Sequence, residues 1–121
     1  MEQNTKITML VIPADSYTPI QVKKLHSGLN TLQALVGGDI EGLPSRFDWI
    51  AYGNAEAKLI GLPFNLRAHL FLVQFAGHNP SDKICGDVVI TGIDDEGYDI
   101  DVPDSILAIF PKALQQYNLV S

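Results

Sequence analysis

Apolar and polar residues change rhythm several times along this chain, and each change predicts an element. Ile7 to Ile12 is a run rich in branched residues closed by Pro13, which reads as a strand. Pro13-Ala14-Asp15-Ser16 and Thr18-Pro19 frame a turn. Ile20, Val22 and Lys24 then alternate with their neighbours as a half-buried strand does, so the two runs predict an antiparallel hairpin with a long loop. Leu29, Leu32, Leu35 and Val36 follow a helical period, with Ser27 or Gly28 as the cap and Gly37-Gly38 as the stop. Asp39 to Leu43 reads as a brief strand ended by Pro44, and Asp48 to Tyr52 as a longer one turned by Gly53-Asn54. Pro63 or Asn65 opens a helix to about Val73, with Leu66, Leu70 and Val73 on one face; a strand from His69 to Phe75 is the rival reading. Ala76 to Asp82 reads as a loop. Val88 to Thr91, between Gly86-Asp87 and Gly92, is the strongest strand signal, and a short strand around Ile100 follows. Asp104 can cap a final helix carrying Ile106, Leu107, Ile109 and Phe110 inward. Pro111 divides it from a second helical piece with Ala113, Leu114 and Tyr117.

Strands do not alternate with long helices, so a parallel sheet is excluded. The pattern predicts one α+β domain over residues 1–121: an antiparallel sheet of four to five strands with two or three short helices on one face.

Charge adds a feature that the apolar pattern does not carry. Asp94, Asp95, Glu96, Asp99, Asp101 and Asp104 fall within eleven residues that hold no base. The other eight acids balance the eight bases, so the whole formal charge of −6 sits in this segment. No basic stripe exists, which argues against direct nucleic-acid binding. The single cysteine, Cys85, rules out an internal disulfide and reads as a small buried hydrophobe. Apolar runs such as Leu70 to Val73 are far short of the ~20 residues that span a bilayer. With no secretory leader visible, the expectation is a soluble protein of the cytoplasm, with no membrane partner.

Two motifs place the chain further. The first is Leu32, Gln33, Val36, Gly37, Gly38, Ile40 and Glu41; the second is Asn54, Glu56, Lys58, Gly61, Leu62, Pro63 and Asn65. Leu10-Val11-Ile12-Pro13-Ala14-Asp15 precedes them, and Ile84, Gly86, Asp87 and Val88, then Asp99, Asp101, Val102 and Pro103, follow. Together these resemble a family of small proteins from bacteria and their phages, domain of unknown function 3846, over roughly residues 8–110. Ala57 stands where that family usually has glycine, and His69 where it usually has threonine. The resemblance implies a phage or mobile-element setting, and the host cytoplasm as its location. It supplies no reaction.

Two groups of residues are candidates for function. Asn54, Glu56, Lys58, Asn65 and Arg67 could hold a small anionic ligand if they converged, because amides donate and accept and a guanidinium forks onto carboxylate or phosphate. In the plainer reading they serve turns and caps. Asp94, Asp95, Glu96, Asp99 and Asp101 form a candidate partner surface that steers a basic protein. No catalytic constellation, cofactor motif or metal-ligand spacing is present. The expectation is a non-enzymatic accessory protein that binds a host protein or a small anionic ligand and antagonises a host defence system. The alternatives are a metal-dependent hydrolase using Asp94, Glu96, Asp99 and Asp101, and a homo-oligomer paired through an exposed sheet edge.

Overall fold

A computed structural model describes residues 5–120. Six strands form one antiparallel sheet: β1 (Lys6–Ile12), β2 (Gln21–His26), β3 (Ile40–Gly42), β4 (Trp49–Asn54), β5 (Val88–Ile93) and β6 (Asp99–Ile100). Their order is β2-β1-β5-β4-β3, and β6 adds to β5. The helices are α1 (Leu29–Val36), α2 (Leu66–Ala76), α3 (Asp104–Leu107) and α4 (Pro111–Val120). The α+β class and the antiparallel sheet are as the pattern predicts.

Pleating gives the sheet two apolar faces, because successive strand residues point to opposite sides. Leu10, Ile12, Val22, Trp49, Ala51, Val88 and Ile90 face one core with Phe71 and Leu72 of α2, Ile106 and Leu107 of α3, and Ala113 of α4. Ile7, Met9, Val11 and Val89 face a second, smaller core with Leu32 and Val36 of α1. The sequence pattern predicts helices on one face; instead α2, α3 and α4 cover one side of the sheet and α1 covers the other. The strands show why. β1 and β5 are buried on both faces, so each face needs a cover.

Residues 66–76 are helical, which removes the rival strand. The buried side of α2 is Ala68, His69, Phe71 and Leu72, whereas Leu66 and Leu70 are exposed. Both sets fit a helical period. The aromatic set wins because Phe71 packs at centroid distances of 5.3 Å on Trp49, 5.1 Å on Phe75 and 5.5 Å on Phe110, and aromatic rings contribute the largest buried areas.

Smaller differences occur at the ends of elements. β4 continues through Asn54, and the turn starts after it. Gly28 and not Ser27 precedes α1; the Ser27 hydroxyl is buried without a hydrogen-bond partner among the described residues. Gly37 ends α1 at φ +79, the left-handed conformation expected there. Pro103 stands at the cap of α3, with Asp104 in the first turn, and Ile109 is exposed instead of facing the core. Among the described residues no helix is long and apolar enough to cross a membrane.

Candidate functional site

The motif from Asn54 to Arg67 runs from the end of β4 to the start of α2, and most of its polar side chains bond within the chain. Asn54 is buried. Its Nδ2 donates to the Val36 carbonyl at 3.2 Å, and its Oδ1 accepts from the Glu56 N–H at 2.8 Å. It thus closes the turn after β4 and holds the last carbonyl of α1. Asn65 is fully buried and caps α2: its Oδ1 accepts from the Ala68 N–H at 3.0 Å. Its Nδ2 donates to the carbonyls of Ile12 at 2.8 Å and Gly86 at 2.9 Å, joining the end of β1 to the lead into β5. Arg67 directs Nη2 at the carbonyls of Pro13, Asp15 and Thr18, 2.7–2.9 Å away, and so pins the β1–β2 loop. Lys58 forms a salt bridge with Asp82; both side chains are more than half exposed. That hydrogen bond raises the Lys58 pKa and lowers that of Asp82. Glu56 is exposed.

The five residues do not converge. Asn54, Glu56 and Lys58 line an open hollow of about 530 Å³ beside β3. Asn65 is not in its wall, and Arg67 lines a different groove. The hollow's charged lining is Glu41, Glu56 and Asp82 against Lys58 and Lys83, so an anion meets net repulsion there. Cys85, half-buried, also borders it.

Both departures from the family pattern fit locally. Among the described residues none other than glycine has a positive φ, so Ala57 meets no backbone strain in its turn. His69 is buried, with its ring 5.2 Å from that of Phe64 and 5.6 Å from that of His78; Nδ1 accepts from the Ile84 N–H at 3.4 Å.

The acidic segment forms the β5–β6 hairpin and the strand end beyond it. Asp94 shapes the turn: Oδ1 accepts from the N–H groups of Glu96 and Tyr98, both at 2.9 Å. Asp99 Oδ1 accepts from the Tyr52 hydroxyl at 2.6 Å and the Thr91 hydroxyl at 3.0 Å. Asp101 Oδ1 accepts from the Thr8 N–H at 2.8 Å. Three of the four carboxylates of the metal-dependent alternative are thus aimed at separate partners. Among the described residues no three His, Cys, Asp or Glu side chains gather as a metal-ligand set. Asp95 and Glu96 are exposed at the turn, followed by Tyr98 and Ile100 at 45% and 43% exposure.

The Tyr52–Asp99 contact has a measurable consequence. Burial first, then the hydrogen bond to Asp99, raises the Tyr52 pKa well above its ordinary value. The folded state therefore holds this proton more tightly than the unfolded chain. Its stabilising contribution is complete below pH ~10 and is lost as pH rises through the folded value. In a spectrophotometric titration of phenolate at 295 nm, Tyr52→Phe should remove the latest-titrating step. Loss of amplitude in the ordinary tyrosine range near pH ~10, with the latest step retained, would show that Tyr52 is freely solvated.

A second depression, which sequence reasoning misses, lies between β2 and α4. It has a volume of about 1010 Å³ and is walled by Ile20, Val22, Phe110, Tyr117 and Val120. The available signal was Val22 next to Lys23-Lys24 on a predicted strand, with a partly apolar terminal helix after Pro111.

An open antiparallel sheet, covered on both faces by short helices and fastened by buried asparagines, defines an α+β scaffold with its free chemistry on the surface. Residues 7–117 match the family described as Domain of unknown function (DUF3846), and the chain belongs to that family. Neither the curated proteins nor the solved structures compared with the chain gave a match.

Proposed function

We propose that this chain is a non-enzymatic accessory protein of a phage or mobile element that binds a basic host protein, through the β5–β6 hairpin, and so antagonises a host defence system. The observation that carries this reading is the hairpin itself. Six carboxylates and no base lie between residues 94 and 104, with Asp95 and Glu96 at the tip and Tyr98 and Ile100 exposed after them. Concentrated charge accelerates encounter with an oppositely charged surface, and an exposed aromatic supplies the anchor that charge alone lacks. The protein branch is preferred over a small anionic ligand because Asn54, Asn65 and Arg67 are committed to internal hydrogen bonds and the hollow beside Lys58 carries more carboxylates than ammoniums. The phage setting rests on the family resemblance.

The test is affinity capture from host lysate with the wild-type chain and with the double variant Asp95→Lys, Glu96→Lys. The expected result is a basic protein held by the wild type and lost by the variant, with both chains equally folded by circular dichroism. Equal recovery on both, or no basic protein on either, would refute the reading.

A further inference from the structure

The free edge of the sheet at β2 carries chemistry that the hairpin does not. β2 pairs only with β1 among the strands. The Ser27 N–H donates to the Thr5 carbonyl at 3.1 Å, which fixes the alternation of the antiparallel ladder. By that alternation Lys23 and Leu25 bond to β1, whereas Val22 and Lys24 turn their backbone N–H and C=O groups outward. Among the described residues those outward groups have no strand beside them. Lys23 and Lys24 are successive, so pleating puts one ammonium on each side of the sheet at this edge. The groove between β2 and α4 adjoins it. Its walls are mostly apolar, its charged lining residues are Lys23, Arg67 and Lys112, and among the described residues no carboxylate side chain lines it. In a chain of formal charge −6 this local balance is opposite in sign to the whole.

We propose that the β2 edge and the adjoining groove take an extended acidic peptide segment with alternating apolar residues, added to the sheet as a further strand. Main-chain pairing with Val22 and Lys24 supplies the hydrogen bonds, apolar side chains on the face shared with Val22 enter the groove, and carboxylates on the opposite face meet Lys23. A second copy fits poorly, because antiparallel β2–β2 pairing brings the lysines of both copies together and like charges across strands destabilise a sheet. Edge lysines in this way block self-pairing and leave an acidic strand admissible.

The probe is a short fluorescein-labelled peptide alternating glutamate with valine or leucine, compared with its lysine-for-glutamate counterpart. Fluorescence anisotropy with the full chain should show binding of the acidic peptide that weakens with added salt, and at least tenfold weaker binding of the basic one. K23E should reduce acidic-peptide affinity by roughly fivefold. Lys112 is exposed on α4, so K112E keeps the fold, and because it lies on the groove side it should change the affinity less than K23E. Hydrogen exchange at the Val22 and Lys24 amides should slow when the acidic peptide binds. Equal binding of the two peptides, no binding at millimolar peptide, unchanged exchange at those amides, or a dimer formed through this edge would each overturn the proposal. The charge-reversed hairpin variant should bind the acidic peptide at least as well as the wild type, which separates this surface from the hairpin.

Discussion

Replacing Gly92 with alanine should lower the unfolding free energy by about 3 kcal/mol, at the upper end of what overpacking costs. Gly92 lies in β5, the central strand, opposite Trp49 on one side and Ile100 on the other. A Cβ at this position would sit 2.2 Å from the Asp101 carbonyl oxygen and 3.0 Å from Ile100 Cγ1. The first is a backbone atom, and it is held in place. Asp101 Oδ1 accepts the Thr8 N–H at 2.8 Å, and the Val102 N–H donates to the Thr8 carbonyl at 3.0 Å. Relief of the clash therefore requires β6 to separate from β5, or the residue 101–102 segment to separate from β1. The melting temperature should fall by roughly 10 °C for a domain of this size. Urea unfolding checks the value, with Gly42→Ala as the control. At Gly42 the nearest atom to an added Cβ is the flexible tip of Ile50 at 4.0 Å, so the change there should stay within about 0.5 kcal/mol. Equal effects at the two glycines would show that the 101–102 segment is loosely held.

Asn65→Ala should cost about 4 kcal/mol, because it removes a helix cap and leaves the Ile12 and Gly86 carbonyls without their donor in a dry site. Asn65→Asp separates the two roles. The carboxylate keeps the acceptor for the Ala68 N–H but turns a second oxygen toward two carbonyl oxygens 2.8 and 2.9 Å from the present amide nitrogen. If the cap were the whole role, aspartate would be tolerated. The expected result is that aspartate is nearly as damaging as alanine, read by urea unfolding of both variants. A stable Asn65→Ala chain would return this residue to the candidates for ligand binding.

Strand positions were legible because branched runs broken by proline and glycine leave few other readings. Gly37 as a helix stop and Pro111 as a divider were legible for the same local reason. The distribution of helices between the two faces was not. It follows from β1 and β5 being buried on both sides, and an unbroken apolar run such as Met9 to Ile12 does not say which neighbour covers which face. Leu66, Leu70 and Val73 keep the same helical period as Ala68, Phe71 and Leu72, so the period alone does not say which side of α2 is buried; only the positions of Trp49 and Phe110 decide between them.

The candidate site was legible as residue types and illegible as geometry. Asn65 reaches Ile12 and Gly86, Arg67 reaches Pro13 to Thr18, and Asp101 reaches Thr8. These partners lie tens of residues away, so no local spacing announces them. The same long reach turned a predicted ligand cluster into several fastenings of the fold. The Lys58–Asp82 pair formed where both side chains are exposed, and such pairs add little stability.

The most direct measurement of the central claim is calorimetric titration of the captured basic partner into the wild-type chain and into the charge-neutral variant Asp95→Asn, Glu96→Gln, across a series of salt concentrations. The account predicts that the wild-type affinity falls as salt rises and that the variant binds more weakly with a shallower salt dependence. Equal affinity and equal salt dependence for the two chains would contradict it.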